Sequence, residues 1–503
     1  MSIVVTLQVI GLLKMMWKPG GFTPGINAHN LLNATLNPDF STVESDSGQL
    51  SVNTNFSLFY DEKRAFFLDN SDYFSSDFNL VYTRNIADPD YGIKVTGRAD
   101  KHSYGIFNTN DTETNILLPG NLDSELVTIN RKSSAGALRY RYDFDENLTL
   151  GTIATLRSAN DYHNYVLGLD ARYRLSDSNA IKAQVLSSDT LYSDTLYSNK
   201  LNSYQASKDS FTDNAFKLNF THNSEYWLIE LDHQNIGTDF RADLGYMPKA
   251  DIKIDQAVLK RTFYSEQDSL WQETSVLGQW RIVHNTNNEL IERELTTSFA
   301  VDGPLQSLIQ LDLVHGEKVG LRHDKNSNKI DGNTTSFNEN QLILYSSAYL
   351  DNRTYVSLDF TIGDKIDYSN NRLGDLIEAT GNITVFATDH LEVDFYQTYS
   401  KLDAQENNRE INVYTANISE LRLSYQFDIQ SYLKLSLIYN DIKFADSEHV
   451  KDLSSQLIYA YKLNPQTVFF LGYSDNSYKD NDLTKLTRAE RTFFTKISYA
   501  FSP

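Results

Sequence analysis

The 503-residue chain has no cysteine, which excludes disulfides, thiolate metal sites, iron–sulfur clusters and covalently attached haem. It has no apolar run of the ~18 residues that a membrane-crossing helix needs, and its mean hydropathy is −0.44. Cations are scarce as well: 45 Lys and Arg stand against 66 Asp and Glu, a formal charge of −21. Nucleic acid is therefore not an expected partner, because phosphate contacts require clustered Lys and Arg. The ten His are scattered singly, with no His-Glu-x-x-His helix pattern and no Gly-x-Ser-x-Gly elbow. No catalytic residue is expected from these patterns.

What the chain has is aromatic: 31 Tyr and 27 Phe against 4 Trp and 4 Met, spread with a period of two. In Tyr165–Leu175 the residues Tyr165, Leu167, Leu169, Ala171, Tyr173 and Leu175 alternate with Val166, Gly168, Asp170, Arg172 and Arg174. The same stripe recurs at Val356–Ile362, Leu421–Phe427, Leu433–Tyr439 and Leu457–Leu463. Successive side chains of a strand point to opposite faces, so these stripes predict strands and not helices. The last stretch, Arg491–Phe501, sorts Phe493, Thr495, Ile497, Tyr499 and Phe501 onto one face. A greasy, aromatic-tipped face opposite a small or charged one is the pattern of a transmembrane barrel strand. Ile497, Tyr499 and Phe501 also resemble the terminal signal read by the barrel-assembly machinery, although Ser502 and Pro503 follow where Phe is usually last.

A soluble sandwich alternates too, so the connections decide. Counting back from Phe501, long gaps at 476–488, 443–452, 401–411, 363–375, 317–339 and 189–212 alternate with short ones at 463–466, 428–430, 388–390, 351–353, 222–224 and 176–179. Short periplasmic turns and longer outer loops are a property of outer-membrane barrels. The expected fold is all-β, one large antiparallel transmembrane β-barrel of about 22–24 strands in the bacterial outer membrane, with an even strand count so that both ends face the periplasm. Its partners are outer-membrane lipid, lipopolysaccharide and the assembly machinery. An interior this wide holds water or a plug.

Residues 1–30 are read as a non-domain N-terminus. The apolar run Ile3–Leu13 is followed, not preceded, by Lys14 and Lys18, the reverse of a secretory signal, so an export signal is expected upstream. Residues 31–77 are read as a plug-like or first-strand segment, with short strands at Leu31–Leu36 and Leu50–Tyr60, and residues 78–503 as the barrel. The last strand is expected to pair with a first strand near Phe78 or near Leu31. The tandem Asp189-Thr-Leu-Tyr-Ser and Asp194-Thr-Leu-Tyr-Ser is read as a replication slip.

Four segments are denser in charge, Pro or Gly than strands require: Asn37-Pro-Asp-Phe-Ser-Thr-Val-Glu-Ser-Asp46, Tyr60-Asp-Glu-Lys-Arg-Ala-Phe-Phe-Leu-Asp69, Asn85-Ile-Ala-Asp-Pro-Asp-Tyr-Gly92 and Asp239-Phe-Arg-Ala-Asp-Leu-Gly-Tyr-Met-Pro248. Together with Tyr82–Ile86 they resemble the barrel family known as domain-of-unknown-function family 5916. The chain departs from that family at Ala65, where Pro is usual, and at Asp69-Asn70, where Glu-Gly is usual. The resemblance implies an outer-membrane barrel without an assigned reaction. It also adds carbohydrate as a ligand class, because members often carry an upstream module similar to family-9 carbohydrate-binding domains, which this sequence lacks.

Within these segments Glu44 and Asp46 lie two apart and share a face if extended, which suits a hard cation such as calcium. Alternatively Glu62, Lys63 and Arg64 pair with them and pin a plug in the lumen. Paired carboxylates are also the chemistry of glycoside hydrolysis, a carbohydrate-related hydrolase being the one enzymatic alternative. Asp239 and Arg241 are the charges of the fourth segment. Asp324, Asn326, Asn328 and Asp331 are spaced like a calcium loop but lack its Gly and its closing Glu. Asp170, Arg172, Arg174, Glu392, Asp394, Arg422 and Lys434 are expected to line the lumen. The functional expectation is a channel or transport component; the alternatives are a membrane anchor for a carbohydrate-handling protein and a scaffold for a partner complex.

Overall fold

The computed structural model describes residues 2–12, 30–36, 46–129, 131–192, 209–266, 269–325, 327, 329–445, 448–464, 467–481 and 485–501. Among them, 23 strands form one closed sheet and two more form a separate hairpin. From Asn30–Leu36 through Pro89–Ala99, His102–Asp111 and Ser133–Asp143 to Thr487–Phe501, each wall strand pairs antiparallel with the next. The ring closes through Ser2–Leu12, which is antiparallel to Asn30–Leu36 and parallel to Thr487–Phe501, with Ser2 opposite Phe494 and Val9 opposite Phe501.

An odd number of up-and-down strands can close only with one parallel contact, and this seam supplies it. The ring thus departs from the expected even count. The final strand's partner is Ser2–Leu12, not a strand near Phe78 or Leu31, and lies within residues read as a non-domain N-terminus. Ile3, Val4, Val5, Val9 and Ile10 explain the strand locally: β-branched side chains suit a pleated surface.

The wall is inside out relative to a soluble protein. Leu167 and Leu169 point outward and are 60% and 59% exposed, whereas Asn164 between the same two neighbouring strands is 1% exposed. Leu218, Leu231, Leu259, Leu295 and Ile309 are likewise exposed. Lipid, not water, solvates such an exterior, and a closed sheet leaves no unpaired backbone facing it. A ring of this size is on the order of 45 Å across, from the inter-strand spacing and a typical tilt.

Among the described residues one end of the barrel carries mostly tight connections, such as 175–178, 224–226, 350–353 and 387–390, with 265–272 longer; the other end carries most of the long ones. We call them the turn end and the loop end. Strands run further toward the loop end than the gap pattern predicts. The stretch 401–411 is not a loop: one strand continues to Glu406 and the next starts at Arg409, joined by Asn407 and Asn408, both at positive φ. The gaps at 363–375 and 443–452 close in the same way, with strands reaching Asp367, Arg372, Phe444 and His449. The long connections on this end are 37–88, 112–132, 193–210, 237–251 and 320–335.

Arg409–Gln426 shows why. It has 18 residues and is roughly 60 Å long, about twice what the hydrocarbon layer requires. Toward the turn end Leu421, Leu423 and Tyr425 form the outward stripe, with Glu420, Arg422 and Ser424 inward. Toward the loop end the stripe changes sides: Tyr414, Ala416 and Ile418 are inward and buried, and Thr415, Asn417 and Ser419 face out. The loop-end half stands above the lipid and wraps a core of its own, where Leu376, Leu402, Tyr414 and Ala416 pack with Leu50 and Val52.

Candidate functional site

That loop-end core belongs to the lumen. Residues 46–88 leave the wall after Asn30–Leu36 and rejoin it at Pro89–Ala99. They have no period-two pattern and form no wall strand, only the short helix Ala65–Leu68 and brief 3-10 turns. Leu50–Tyr60 is therefore not a strand, and Phe78 does not begin the barrel. Phe66, Phe67, Phe74 and Ile86 are instead buried together with Phe107, Ala135 and Ala137 of the wall. Phe74 and Phe107 meet edge to face, with centroids 5.2 Å apart, a favourable aromatic geometry. The wall makes room for these rings: a Cβ on Gly92 would lie 2.8 Å from the Phe66 ring.

The segment spans the lumen. On one side the Phe78 N–H donates to Gln184 Oε1 at 3.0 Å, and Arg139 Nε donates to Ser75 O at 3.2 Å. On the opposite side of the ring the Gly48 N–H donates to Glu420 Oε2 at 3.3 Å, Arg422 Nη2 donates to Ser47 Oγ at 2.7 Å, and Asn53 Nδ2 donates to Ile366 O at 2.8 Å.

Its charges pin it internally. Lys63 Nζ lies 3.3 Å from Asp46 Oδ1, and Arg84 also donates to Asp46. Arg64 forks onto Glu62 through Nε at 2.7 Å and Nη2 at 2.6 Å, while its Nη1 donates to Ile86 O at 2.6 Å. Burial alone would raise the Glu62 carboxyl, but the hydrogen bonds and charge of Arg64, with Thr83, outweigh it and hold it below the ordinary value. Asp46 and Lys63 are thus paired with each other, as are Glu62 and Arg64. Glu44 lies outside the described residues.

The calcium-like loop is only partly described, since Asn326 and Asn328 lie outside the described residues. The rest is organised by side chains that the spacing did not point to: Asn333 Oδ1 accepts the Asp324 N–H at 2.7 Å, and Glu289 Oε1 accepts the Asp331 N–H at 3.2 Å. Among the described residues no three His, Asp or Glu are grouped to hold a metal.

The fourth segment folds inward as well. Tyr82 N–H donates to Leu244 O at 2.8 Å and Tyr246 N–H to Asn79 O at 2.9 Å, so the 237–251 connection and the lumen segment share a short two-way backbone pairing. Contact is close enough to require glycine: a Cβ on Gly245 would sit 2.4 Å from Asn79 O. Beneath it Asp243 is fully buried, accepting Tyr162 Oη at 2.6 Å and Tyr192 Oη at 3.0 Å, and its N–H donates to Asn164 Oδ1 at 2.9 Å. Burial pushes the Asp243 carboxyl up, against these hydrogen bonds and the nearby Arg157 and Arg241. Asp239 is exposed at the rim, whereas Arg241 is buried, so the two candidates of this segment are separated.

A third piece, the hairpin Thr114–Pro119 and Ser124–Ile129, caps the assembly. Ser124 N–H donates to Asn55 O at 2.9 Å, and Gly120 bridges to Lys249. Below all three, Arg157 Nη2 donates to Asp111 Oδ2 at 2.8 Å, with both side chains wholly buried. Sequence reasoning missed Arg157, Asp111, Asp243, Tyr162 and Tyr192. Two of them had a signal: Asp243 lies in a segment singled out for density, and Tyr192 belongs to the first copy of the tandem repeat, whose second copy lies outside the described residues.

Of the expected lumen charges, Asp170 pairs with Arg139 at 2.8 Å, Arg422 with Glu420, and Asp394 accepts Thr384 Oγ1 at 2.6 Å. Arg172 and Arg174 are exposed at the turn end. There a cavity of about 520 Å³ opens below residues 72–77, lined by Arg98, Arg141, Arg172 and Lys182 among others.

No curated protein matches the chain. Among solved structures it is similar to a mutant of the ferric enterobactin receptor PfeA from Pseudomonas aeruginosa (9% identity, TM-score 0.41, 77% of this chain and 79% of that one). It is similar also to the siderophore receptor PirA from Acinetobacter baumannii (10%, 0.44, 76% and 73%) and an anion-selective porin from Comamonas acidovorans (11%, 0.30, 70% and 92%). Likeness at these scores carries no argument about cargo. In sequence, residues 22–117 match the family described as "Domain of unknown function (DUF5916)", a stretch that holds the whole lumen segment and the wall strands on either side of it.

Proposed function

We propose that this chain is a gated channel or transport component of the bacterial outer membrane, with its turn end toward the periplasm and its loop end outside. The observation that carries this reading is an interrupted passage. The loop-end half of the lumen is filled by a tethered segment packed on glycine sockets and ion pairs, while among the described residues the turn-end half holds a polar cavity of about 520 Å³. A barrel serving only as an anchor gains nothing from a separately folded stopper above a polar cavity. The charges lining the path are mixed in sign, so they set selectivity by position along it.

The test is planar-bilayer conductance of the purified protein and of a variant in which residues 46–88 are replaced by a short Gly/Ser linker. The intact chain is expected to be closed for most of the record and the variant to give sustained steps at least tenfold larger. A folded variant that stays silent would overturn the channel reading and favour an anchor or scaffold.

A further inference from the structure

We propose that the loop-end cavity beneath the Thr114–Ile129 hairpin is a binding site for a small hydroxylated carboxylate, a hydroxy acid or sugar acid, with Arg241 as its anchor. The cavity is about 180 Å³ and lies between that hairpin, the 237–251 connection and the 320–335 connection; its charged lining is Asp123, Glu125, Arg241, Asp251, Arg322 and Lys325.

Arg241 is 2% exposed. Its Nη1 is committed to the main chain, donating to Thr238 O at 3.0 Å and Phe240 O at 2.9 Å, while its Nε has no acceptor. A buried N–H without a partner costs roughly 1–3 kcal/mol, and natural interiors rarely keep one unless something arrives to satisfy it. The acceptor that suits a guanidinium edge is a carboxylate, which takes two parallel N–H bonds.

The neighbours narrow the class. Asp251 is not available to a ligand: it accepts Asn121 Nδ2, Thr238 Oγ1 at 3.1 Å and the Thr286 N–H at 3.0 Å. Lys325 and Arg322 add positive charge to the wall. Asp123 lines the same space, and burial raises its carboxyl despite Arg322 and Lys325; it faces a hydrogen-bonding group of the ligand. Three cations and three carboxyls favour a singly charged solute rich in hydroxyls over a phosphate dianion, which would meet the acids unpaired. Binding here does not depend on whether the lumen conducts.

The test is isothermal titration of the full chain in detergent with D-glucuronate, D-gluconate and L-lactate, against D-glucose and inorganic phosphate. At least one carboxylate is expected to bind saturably and at least tenfold more tightly than either control. Arg241→Lys should weaken it tenfold or more, and Lys325→Gln severalfold. Among the described residues Lys325 makes no main-chain hydrogen bond of the kind Arg241 makes, so its variant reports on binding even if Arg241→Lys loosens the loop. The proposal is overturned if none of the three carboxylates binds, if glucose or phosphate binds as well as they do, or if both variants leave affinity unchanged.

Discussion

Along Leu391–Glu406 the inward side chains change character within a few residues. Ser400, Leu402 and Ala404, near the loop end, are almost wholly buried, while Tyr396, one turn-ward step below Thr398, is 37% exposed. The opposite wall repeats this: Gln184, Leu186, Ser188 and Thr190 are buried, but Lys182 is exposed. One barrel thus holds two interiors. The loop-end half is a packed core in which a charge must be paired, and the turn-end half leaves its described inward residues exposed, so that a charge there need not be.

Arginine separates the two halves most sharply. Arg157→Met should destabilise the barrel by about 3–5 kcal/mol, because it leaves Asp111 buried and unpaired, whereas Arg172→Met should stay within about 0.5 kcal/mol; denaturant unfolding in detergent measures both. Equal losses would erase the distinction. Gly245→Val should cost about 1–3 kcal/mol through overpacking against Asn79, and limited proteolysis should find new cleavage within residues 46–88.

A smaller effect is expected from acid. The Glu62 carboxyl is held below its ordinary value of 4.5, so its contribution is present above that value and lost as pH falls through the lower folded one. Proteolysis of the lumen segment by an acid-active protease should therefore rise below about pH 4.5 in the native chain. Glu62→Gln should be cleaved more readily just above that pH, still within the protease's active range, and lose most of that dependence; an unchanged profile would remove Glu62 from the pinning. Smallest of all in stability, Lys182→Glu in the turn-end cavity should leave unfolding unchanged and shift the reversal potential of open channels toward cations.

Alternation made the wall legible, because side-chain period is a local property of each strand. Leu421–Tyr425 needed no neighbour to declare itself. Lys401–Glu406 was illegible for the same reason: there the apolar residues Leu402 and Ala404 face a core instead of lipid, and the polar outward face mimics a loop. The seam at Ser2–Leu12 left no mark, since nothing in an apolar run tells which distant strand it will flank. The lumen segment was visible as a density of charge and Phe; of the three charges expected to meet Glu44 and Asp46, Lys63 lies beside Asp46, whereas Glu62 and Arg64 bond to each other. Asp243 and Arg157 were not visible, because a single charge in a connection or near a strand end looks like a rim residue until a loop folds over it.

Leu36 and Pro89 belong to adjacent wall strands and both lie at the loop end, Leu36 opposite Tyr91. The lumen segment is therefore fastened at both ends to neighbouring points on one rim. Under the proposed channel reading it works as a hatch tied to the rim, not as a loose cork. Swinging it aside would break side-chain contacts, the short pairing with Leu244 and Tyr246 and the Ser124–Asn55 bond, but no strand-to-strand hydrogen bond of the wall. A stopper tied in this way stays with the barrel, so each proposed opening would carry its own means of reclosing.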